Sequence, residues 1–165
     1  MPATYEPIAT TTLGSAASSI TFSTIPATYT DLKLVVVCKS VGSSTGYVQF
    51  NSDTGSNYSR LNVRGNGSVA ASNANSNISD GVPIQTSNAT GTNPVLWTLD
   101  IFSYAGSTNK TTLASASNDQ NGSGNLEWSI GLWRNTAVIT SLKLQSTIDN
   151  FDTGTTATLY GIKSA

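Results

Sequence analysis

The side chains in this chain that could perform acid–base chemistry are carboxylates, because the chain contains no histidine. The absence of histidine excludes Ser-His-Asp and Cys-His catalysis and histidine metal sites. Asp100 and Glu127 each lie within a stretch that alternates apolar and polar residues. Two carboxylates that flank one groove could hydrolyse a glycosidic bond. The alternation instead predicts that both belong to the polar outer faces of half-buried strands, so we predict that the protein is not an enzyme.

The segment from Asn51 to Asn57 has oxygen-bearing side chains at alternate positions, as a calcium loop does. It lacks the bidentate glutamate of such a loop, because Asn62 occupies that position. We interpret the segment as a turn rich in Asx residues. Asp149 and Asp152 are a second, equally weak candidate for a calcium site. We therefore predict neither a metal nor a cofactor.

Cys38 is the only cysteine, which excludes an internal disulfide and a cysteine-based zinc cluster. It ends the most hydrophobic run of the chain, Leu32–Cys38. A free cysteine in such a run behaves as a small apolar residue. We therefore predict that Cys38 is buried.

The three tryptophans differ in their positions relative to the apolar alternation. Trp97 and Trp128 follow the alternation of their stretches, which predicts that both belong to the core. A stacking platform for carbohydrate is the alternative interpretation of these aromatic residues. Trp133 has the opposite parity from Trp128 and precedes Arg134. We therefore predict that Trp133 and Arg134 form an exposed anchor for a partner.

The composition predicts a neutral, polar surface. Only 10% of the residues are charged and the formal net charge is −1, while Ser, Thr, Asn and Gly make up almost half of the chain. The basic residues are scattered, so we expect neither nucleic acid nor a membrane surface as a partner. The first residues form no basic and apolar leader, and no run of eighteen apolar residues occurs. We expect a protein that is made and used without secretion or membrane insertion.

The remaining pattern predicts strands. Many short runs alternate with period two and are separated by turn residues every eight to fifteen positions, while the apolar spacing of a helix is absent. We predict an all-β fold, an antiparallel two-sheet β-sandwich with jelly-roll-like organisation. Residues 8–165 form its single domain. The consecutive valines 35–37 predict a central strand that is covered on both faces.

Three further local predictions concern loops and ends. The low-complexity stretch from Gly65 to Gly81 predicts a long exposed loop. Val82–Gln85 predicts an edge strand, because it contains a proline. The β-rich runs Val138–Gln145 and Thr155–Ile162, with turn residues between them, predict a terminal hairpin.

Residues 1–7 contain two prolines and no periodicity, which predicts an extended arm that contacts a neighbour. A frayed terminus is the alternative. Together with the tryptophan–arginine pair, the arm supplies the predicted partner-binding residues: Pro2, Ala3, Thr4, Tyr5, Pro7, Trp133 and Arg134.

Several stretches resemble one family of proteins. Leu132–Leu144 reads L-W-R-N-T-A-V-I-T-S-L-K-L, the pair Asn-Phe follows at 150–151, and Thr158–Ala165 reads T-L-Y-G-I-K-S-A. Ile25–Leu32 (I-P-A-T-Y-T-D-L) and Phe50–Ser59 (F-N-S-D-T-G-S-N-Y-S) extend the likeness upstream. These motifs resemble small virion proteins of tailed bacteriophages. They are strand ends and turns and include no catalytic signature.

The resemblance implies a non-enzymatic structural protein of the phage particle. Its expected role is that of a capsid decoration or cement protein on the outer surface of the virion, where it binds the major capsid protein as a symmetric oligomer, most simply a homotrimer. The alternative is a tail or fibre component that binds host surface glycan. A carbohydrate-binding module or glycosidase is a third hypothesis, which the resemblance does not favour.

Overall fold

The computed structural model describes residues 4–39, 44–89 and 93–163. Every regular element within these ranges is a β-strand. In chain order the strands are β1 (Tyr5–Thr12), β2 (Ser19–Phe22), β3 (Asp31–Cys38), β4 (Ser44–Phe50), β5 (Tyr58–Gly65), β6 (Ala70–Ile78), β7 (Val82–Ala89), β8 (Val95–Phe102), β9 (Lys110–Asp119), β10 (Gly124–Trp133), β11 (Leu142–Gln145) and β12 (Thr156–Ile162).

The strands form two antiparallel sheets, which confirms the predicted all-β sandwich. The smaller sheet has the order β2-β11-β4-β7, and one half of the larger sheet has the order β1-β12-β3-β8. These two sets of four strands face each other in the order of a jelly roll. The predicted edge strand is also confirmed, because β7 lies at one edge of the smaller sheet.

Two hairpins are inserted into this jelly roll and widen the larger sheet. The hairpin β5–β6 lies between β4 and β7 in the chain, and the hairpin β9–β10 lies between β8 and β11. They continue the sheet beyond β8 in the order β9-β10-β5-β6, so that this sheet has eight strands. The larger sheet therefore consists of a jelly-roll half and an inserted half.

The predicted loop between Gly65 and Gly81 is wrong, because most of it forms β6. This strand pairs antiparallel with β5, with Leu61 opposite Ala74 and Val63 opposite Ser72 and one irregularity between Tyr58 and Arg60. Edge pairing is made by backbone groups and needs no buried apolar side chain on the added strand. A polar, low-complexity sequence can therefore form an exposed edge strand.

The predicted C-terminal hairpin is also wrong. β11 pairs with β2 and β4 in the smaller sheet, whereas β12 pairs with β1 and β3 in the larger sheet. The predicted strand from Val138 is shortened because Asn51 binds its backbone. The amide of Asn51 donates to the Val138 carbonyl at 2.7 Å and accepts from the Thr140 N–H at 2.8 Å. Strand pairing therefore begins only at Leu142.

The core lies between the two sheets. β3 contributes Leu32, Leu34, Val36 and Cys38 to it. The prediction that β3 is covered on both faces is wrong, because Val37 is exposed and the strand alternates strictly. The predicted burial of Cys38 is confirmed, and this burial raises the pKa of its thiol to about 12, against the weaker effect of a hydrogen bond with Thr155.

The predicted arm of residues 1–7 includes the start of β1, which begins at Tyr5 and pairs with β12. The predicted boundary between an arm 1–7 and a domain 8–165 therefore falls inside a strand. Glu6 accepts a hydrogen bond of 2.8 Å from Lys163, and this bond lowers the pKa of the glutamate. In the described part of the chain, no helix has the length and apolar character needed to cross a membrane.

Candidate functional site

The side chains of β10 are oriented opposite to the expected direction. Leu126, Trp128 and Ile130 share one face, as predicted, but that face points away from the smaller sheet and is exposed. Glu127 and Ser129 point inward and are buried. The prediction that Trp128 belongs to the core is therefore wrong, while Trp97 is fully buried as expected.

The narrow space beneath β7 explains this orientation. A Cβ atom added at Gly131 would lie 2.6 Å from Cβ of Val82 and 2.6 Å from Oγ1 of Thr112. Small side chains occupy most inward positions around it, and the larger Glu127 and Trp133 lie further along β10 on either side: the small ones are Thr112, Ala114, Ala116, Ser129 and Gly131. Trp128 and Ile130, which flank this narrow part, therefore lie on the outer face.

Trp133 fixes this orientation of the side chains at the end of β10. Its indole is fully buried, stacks on Tyr58 with ring centroids 6.3 Å apart and contacts Phe50 at 5.5 Å. Its Nε1 donates a hydrogen bond of 2.7 Å to Oδ2 of Asp53. Since strand side chains alternate, burial of Trp133 requires Trp128 and Ile130 to face outward. The predicted exposure of Trp133 is wrong.

Asp53 organises the turn between β4 and β5. Its carboxylate accepts hydrogen bonds from the Gly55 N–H at 2.8 Å and from the Asn57 amide at 2.9 Å, in addition to the Trp133 indole. Burial alone would raise the pKa of Asp53, but these hydrogen bonds together lower it below its usual value. The segment interpreted as an Asx-rich turn thus holds the tryptophan. No group of three or more metal-ligating side chains occurs among the described residues.

Arg134 is exposed, as predicted, but its guanidinium is bound within the chain. Nη2 donates to Oδ1 of Asn77 at 2.8 Å and to the Ser56 carbonyl. These bonds tie the end of β10 to the end of β6. Arg134 therefore does not form the predicted anchor together with Trp133.

The exposed apolar surface extends from β10 across the inserted half of the larger sheet. Leu113 of β9 lies opposite Ile130, and Leu61 and Val63 of β5 lie opposite Ile130 and Trp128. We call this surface the outer apolar face. Its large side chains are Leu61, Val63, Leu113, Leu126, Trp128 and Ile130, all exposed.

The outer apolar face carries no charge at its described positions. Between its apolar residues lie only small or hydroxyl-bearing side chains, among them Ser72, Ala74, Ser115 and Ser117. On the neighbouring strands β3 and β8 the same face carries Lys33 and Asp100, whose Nζ and Oδ1 atoms are 2.6 Å apart. These two opposite charges form an ion pair at the border of the face.

Trp128 stands between two shallow depressions on this face. One, of about 330 Å³, is lined by Leu61, Val63, Leu113 and Ile130 beside the indole. The other, of about 300 Å³, lies towards β8 and is lined by Thr98, Asp100 and Ser115. The surface thus combines a protruding aromatic side chain with an apolar depression on one side and a depression that includes the carboxylate of Asp100 on the other.

The two carboxylates considered for catalysis lie on opposite faces of the larger sheet. Asp100 is on the outer face, since it lies opposite Leu113 and pairs with Lys33. Glu127 is on the inner face, fully buried, and accepts a hydrogen bond of 3.1 Å from Ser129. The prediction for Glu127 as an outer-face residue is therefore wrong. The two groups cannot flank a common groove.

A small polar cleft opens where the inner face of β5 and β6 extends past β7. It has a volume of about 160 Å³ and is lined by Tyr47, Arg60, Arg64 and Asn73, among others. Arg60 donates to the Tyr47 hydroxyl at 2.8 Å and to Oδ1 of Asn75 at 3.0 Å. This cleft combines donors, an aromatic ring and amides, which are the groups that bind saccharide hydroxyls and carboxylates.

The predicted partner-binding residues that are described at the N-terminus lie far from the outer apolar face. Tyr5 and Pro7 lie on β1, at the far edge of the larger sheet, where Tyr5 packs edge-on against Tyr160 at 6.5 Å. Thr4 is exposed, and its carbonyl accepts from the Lys163 N–H at 3.2 Å. Pro2 and Ala3 lie outside the described residues.

Comparison with protein-family models, curated proteins and solved structures found no match to this chain.

Proposed function

We propose that this protein is a non-enzymatic structural component of a tailed-phage particle, a capsid decoration or cement protein on the outside of the head. The observation that carries this proposal is the outer apolar face, which is uncharged and lies on hairpins added to a jelly roll. Contiguous exposed apolar surface of this kind marks a contact with another macromolecule. The resemblance of the chain to phage virion proteins supplies the setting.

The proposed partners are the major capsid protein and further copies of the same chain, most simply in a homotrimer. Local three-fold junctions between capsomers are suitable sites, since a closed oligomer uses one patch several times and modest contacts add up. The residues ahead of β1 remain the proposed contact with the shell. Because Tyr5–Pro7 belong to β1 and the Thr4 carbonyl binds the Lys163 N–H, a deletion of residues 2 and 3 tests this contact without removing these backbone bonds.

The copy number in purified virions of the encoding phage tests the proposal. Hundreds of copies per particle, together with labelling of the head surface by a specific antibody in electron microscopy, are expected for a decoration protein. Absence of the protein from purified particles would contradict a structural role in the virion. A few dozen copies or fewer at the tail would favour the alternative.

The second candidate is a tail or fibre component that binds host surface glycan. The polar cleft around Tyr47 and Arg60 favours it, because the cleft opens at one end of the sandwich and presents arginine, tyrosine and amide groups. Binding of acidic and neutral oligosaccharides on a glycan array, lost in the Arg64→Ala variant, is expected for this function. Arg134→Ala is the matched control, since Arg134 is exposed but lies outside the cleft.

A further inference from the structure

We infer that the outer apolar face is the contact between copies of this chain, with Trp128 of one copy seated in an apolar depression of its neighbour. The inference begins from shape. The indole of Trp128 protrudes between two depressions of about 330 and 300 Å³. A surface that carries both a protruding side chain and a depression beside it can match a second copy of itself. Because the same patch lies on both sides of such a contact, the contact has two-fold symmetry and closes as a dimer, and it is distinct from the three-fold contact of the proposed homotrimer.

The lack of charge on the outer apolar face also favours a second copy of this chain as its partner. Partners of different sequence are usually selected by complementary charges, which steer association and exclude competitors. The outer apolar face carries no charge between its apolar side chains, the bordering Lys33 and Asp100 bind each other, and Asp119 lies at the end of β9, beyond Ser117 and Leu126. An identical copy presents the same uncharged face, so no charge is buried without a partner when the two meet.

The size of the face is sufficient for the core of an interface. The four strands that carry it, β9, β10, β5 and β6, are together about 19 Å wide, and from Leu126 to Leu132 it extends about 20 Å along β10. Its projected area of about 400 Å² is about half of the roughly 800 Å² that each partner buries in a standard interface, so the face supplies the core of such an interface and the polar residues around it supply the rim.

The central position of Trp128 makes it the side chain on which this contact depends most. It is 58% exposed in the single chain, and the apolar side chains of three strands surround it. Tryptophans at the centre of an interface commonly contribute most of its binding energy. We expect Trp128→Arg to weaken self-association by at least about 30-fold.

The test is the mass of the full-length protein in solution, measured by light scattering and sedimentation from about 1 to 100 µM, a range chosen around the affinities of ordinary interfaces. The wild-type protein is expected to be an oligomer, and Trp128→Arg and Leu113→Lys are expected to be monomers with unchanged far-ultraviolet spectra. Ile148→Arg is the matched control, because Ile148 is 57% exposed but lies between β11 and β12, away from the face. It is expected to remain oligomeric.

Two results would overturn the inference: a wild-type protein that is monomeric at the highest concentration, or an oligomer that persists in both face variants. Should Trp128→Arg fail to fold, Leu113→Lys decides alone. The inference takes its biological setting from the proposed function, but its failure is distinct. An oligomer that uses this face and is absent from virions would contradict only the virion role, and a monomeric protein bound to capsids would contradict self-association, including the proposed homotrimer, but not the contact with the capsid.

Discussion

Asp53 binds the indole N–H of Trp133 across 80 positions of sequence, with 2.7 Å between Oδ2 and Nε1. This bond joins the turn after β4 to the last residue of β10. It satisfies a buried donor, and it holds the one large side chain on the inner face at that end of the strand. The orientation of every other side chain in β10 follows, because strand residues alternate between faces.

The Asp53→Ala variant is expected to be less stable by about 1–3 kcal/mol, since it leaves a buried indole N–H without its acceptor. Urea unfolding, followed by far-ultraviolet circular dichroism, measures the change in the free energy of unfolding. Asp80→Ala is the control for the loss of one negative charge, because Asp80 is exposed. Equal stability of the two variants would show that the Asp53–Trp133 bond contributes little.

The contribution of Asp53 to the free energy of unfolding should decrease as the pH falls. Its pKa is lowered in the folded protein, so its contribution is present above the unfolded-state value of about 3.9 and is lost as the pH falls through the lower folded value. The difference in unfolding free energy between wild type and Asp53→Ala is therefore expected to shrink below about pH 4. A difference that grows on acidification would contradict the assigned hydrogen bonds.

Gly131 is predicted to be required for the contact between β10 and β7. The Gly131→Val variant is expected to lose about 1–3 kcal/mol of stability, because added atoms would overlap Val82 and Thr112 in a packed interior. Thermal unfolding measures this loss. Gly14→Ala serves as the control, as nothing lies within 4 Å of the Cβ position at Gly14. If Gly131→Val melted like the control, the narrow space beneath β7 would not be what orients Trp128.

Cys38 is predicted to be unreactive in the folded protein. Burial raises the pKa of its thiol to about 12, so almost no thiolate is present at pH 8. A disulfide reagent such as dithionitrobenzoate is expected to release no colour from the native protein within minutes and one equivalent per chain in denaturant. Rapid reaction of the native protein would place Cys38 at the surface.

Much of the fold could be predicted from the sequence, because period-two runs and turn residues are local signals. The alternation in Val95–Phe102 identifies both β8 and its buried face correctly. The same pattern in β10 identifies the strand but assigns the wrong face to the core. Alternation defines two faces and does not say which one is covered; that depends on the neighbouring strand β7, which approaches Gly131.

The candidate site could therefore not be found by periodicity alone. Trp133 supplied a signal, since a large aromatic residue on the polar parity of β10 is consistent with an inverted strand. Gly131 on the same parity supplied another. The sequence contains no comparable signal for β6. This strand consists mainly of Asn, Ser and Ala and is held by backbone hydrogen bonds to β5, which its side chains do not predict.

In β10, the residues that stabilise the fold alternate with the residues that are available to bind a partner. Its inward positions, Glu127 to Trp133 at every second residue, are buried against the rest of the same chain, whereas its outward positions contact only neighbouring side chains of the outer apolar face and remain about half exposed. Substitutions at outward positions should leave folding intact and alter only what the protein associates with. Across a set of descendants, the two parities of this one strand should accordingly evolve at different rates, the inward series with the jelly roll and the outward series with the partner.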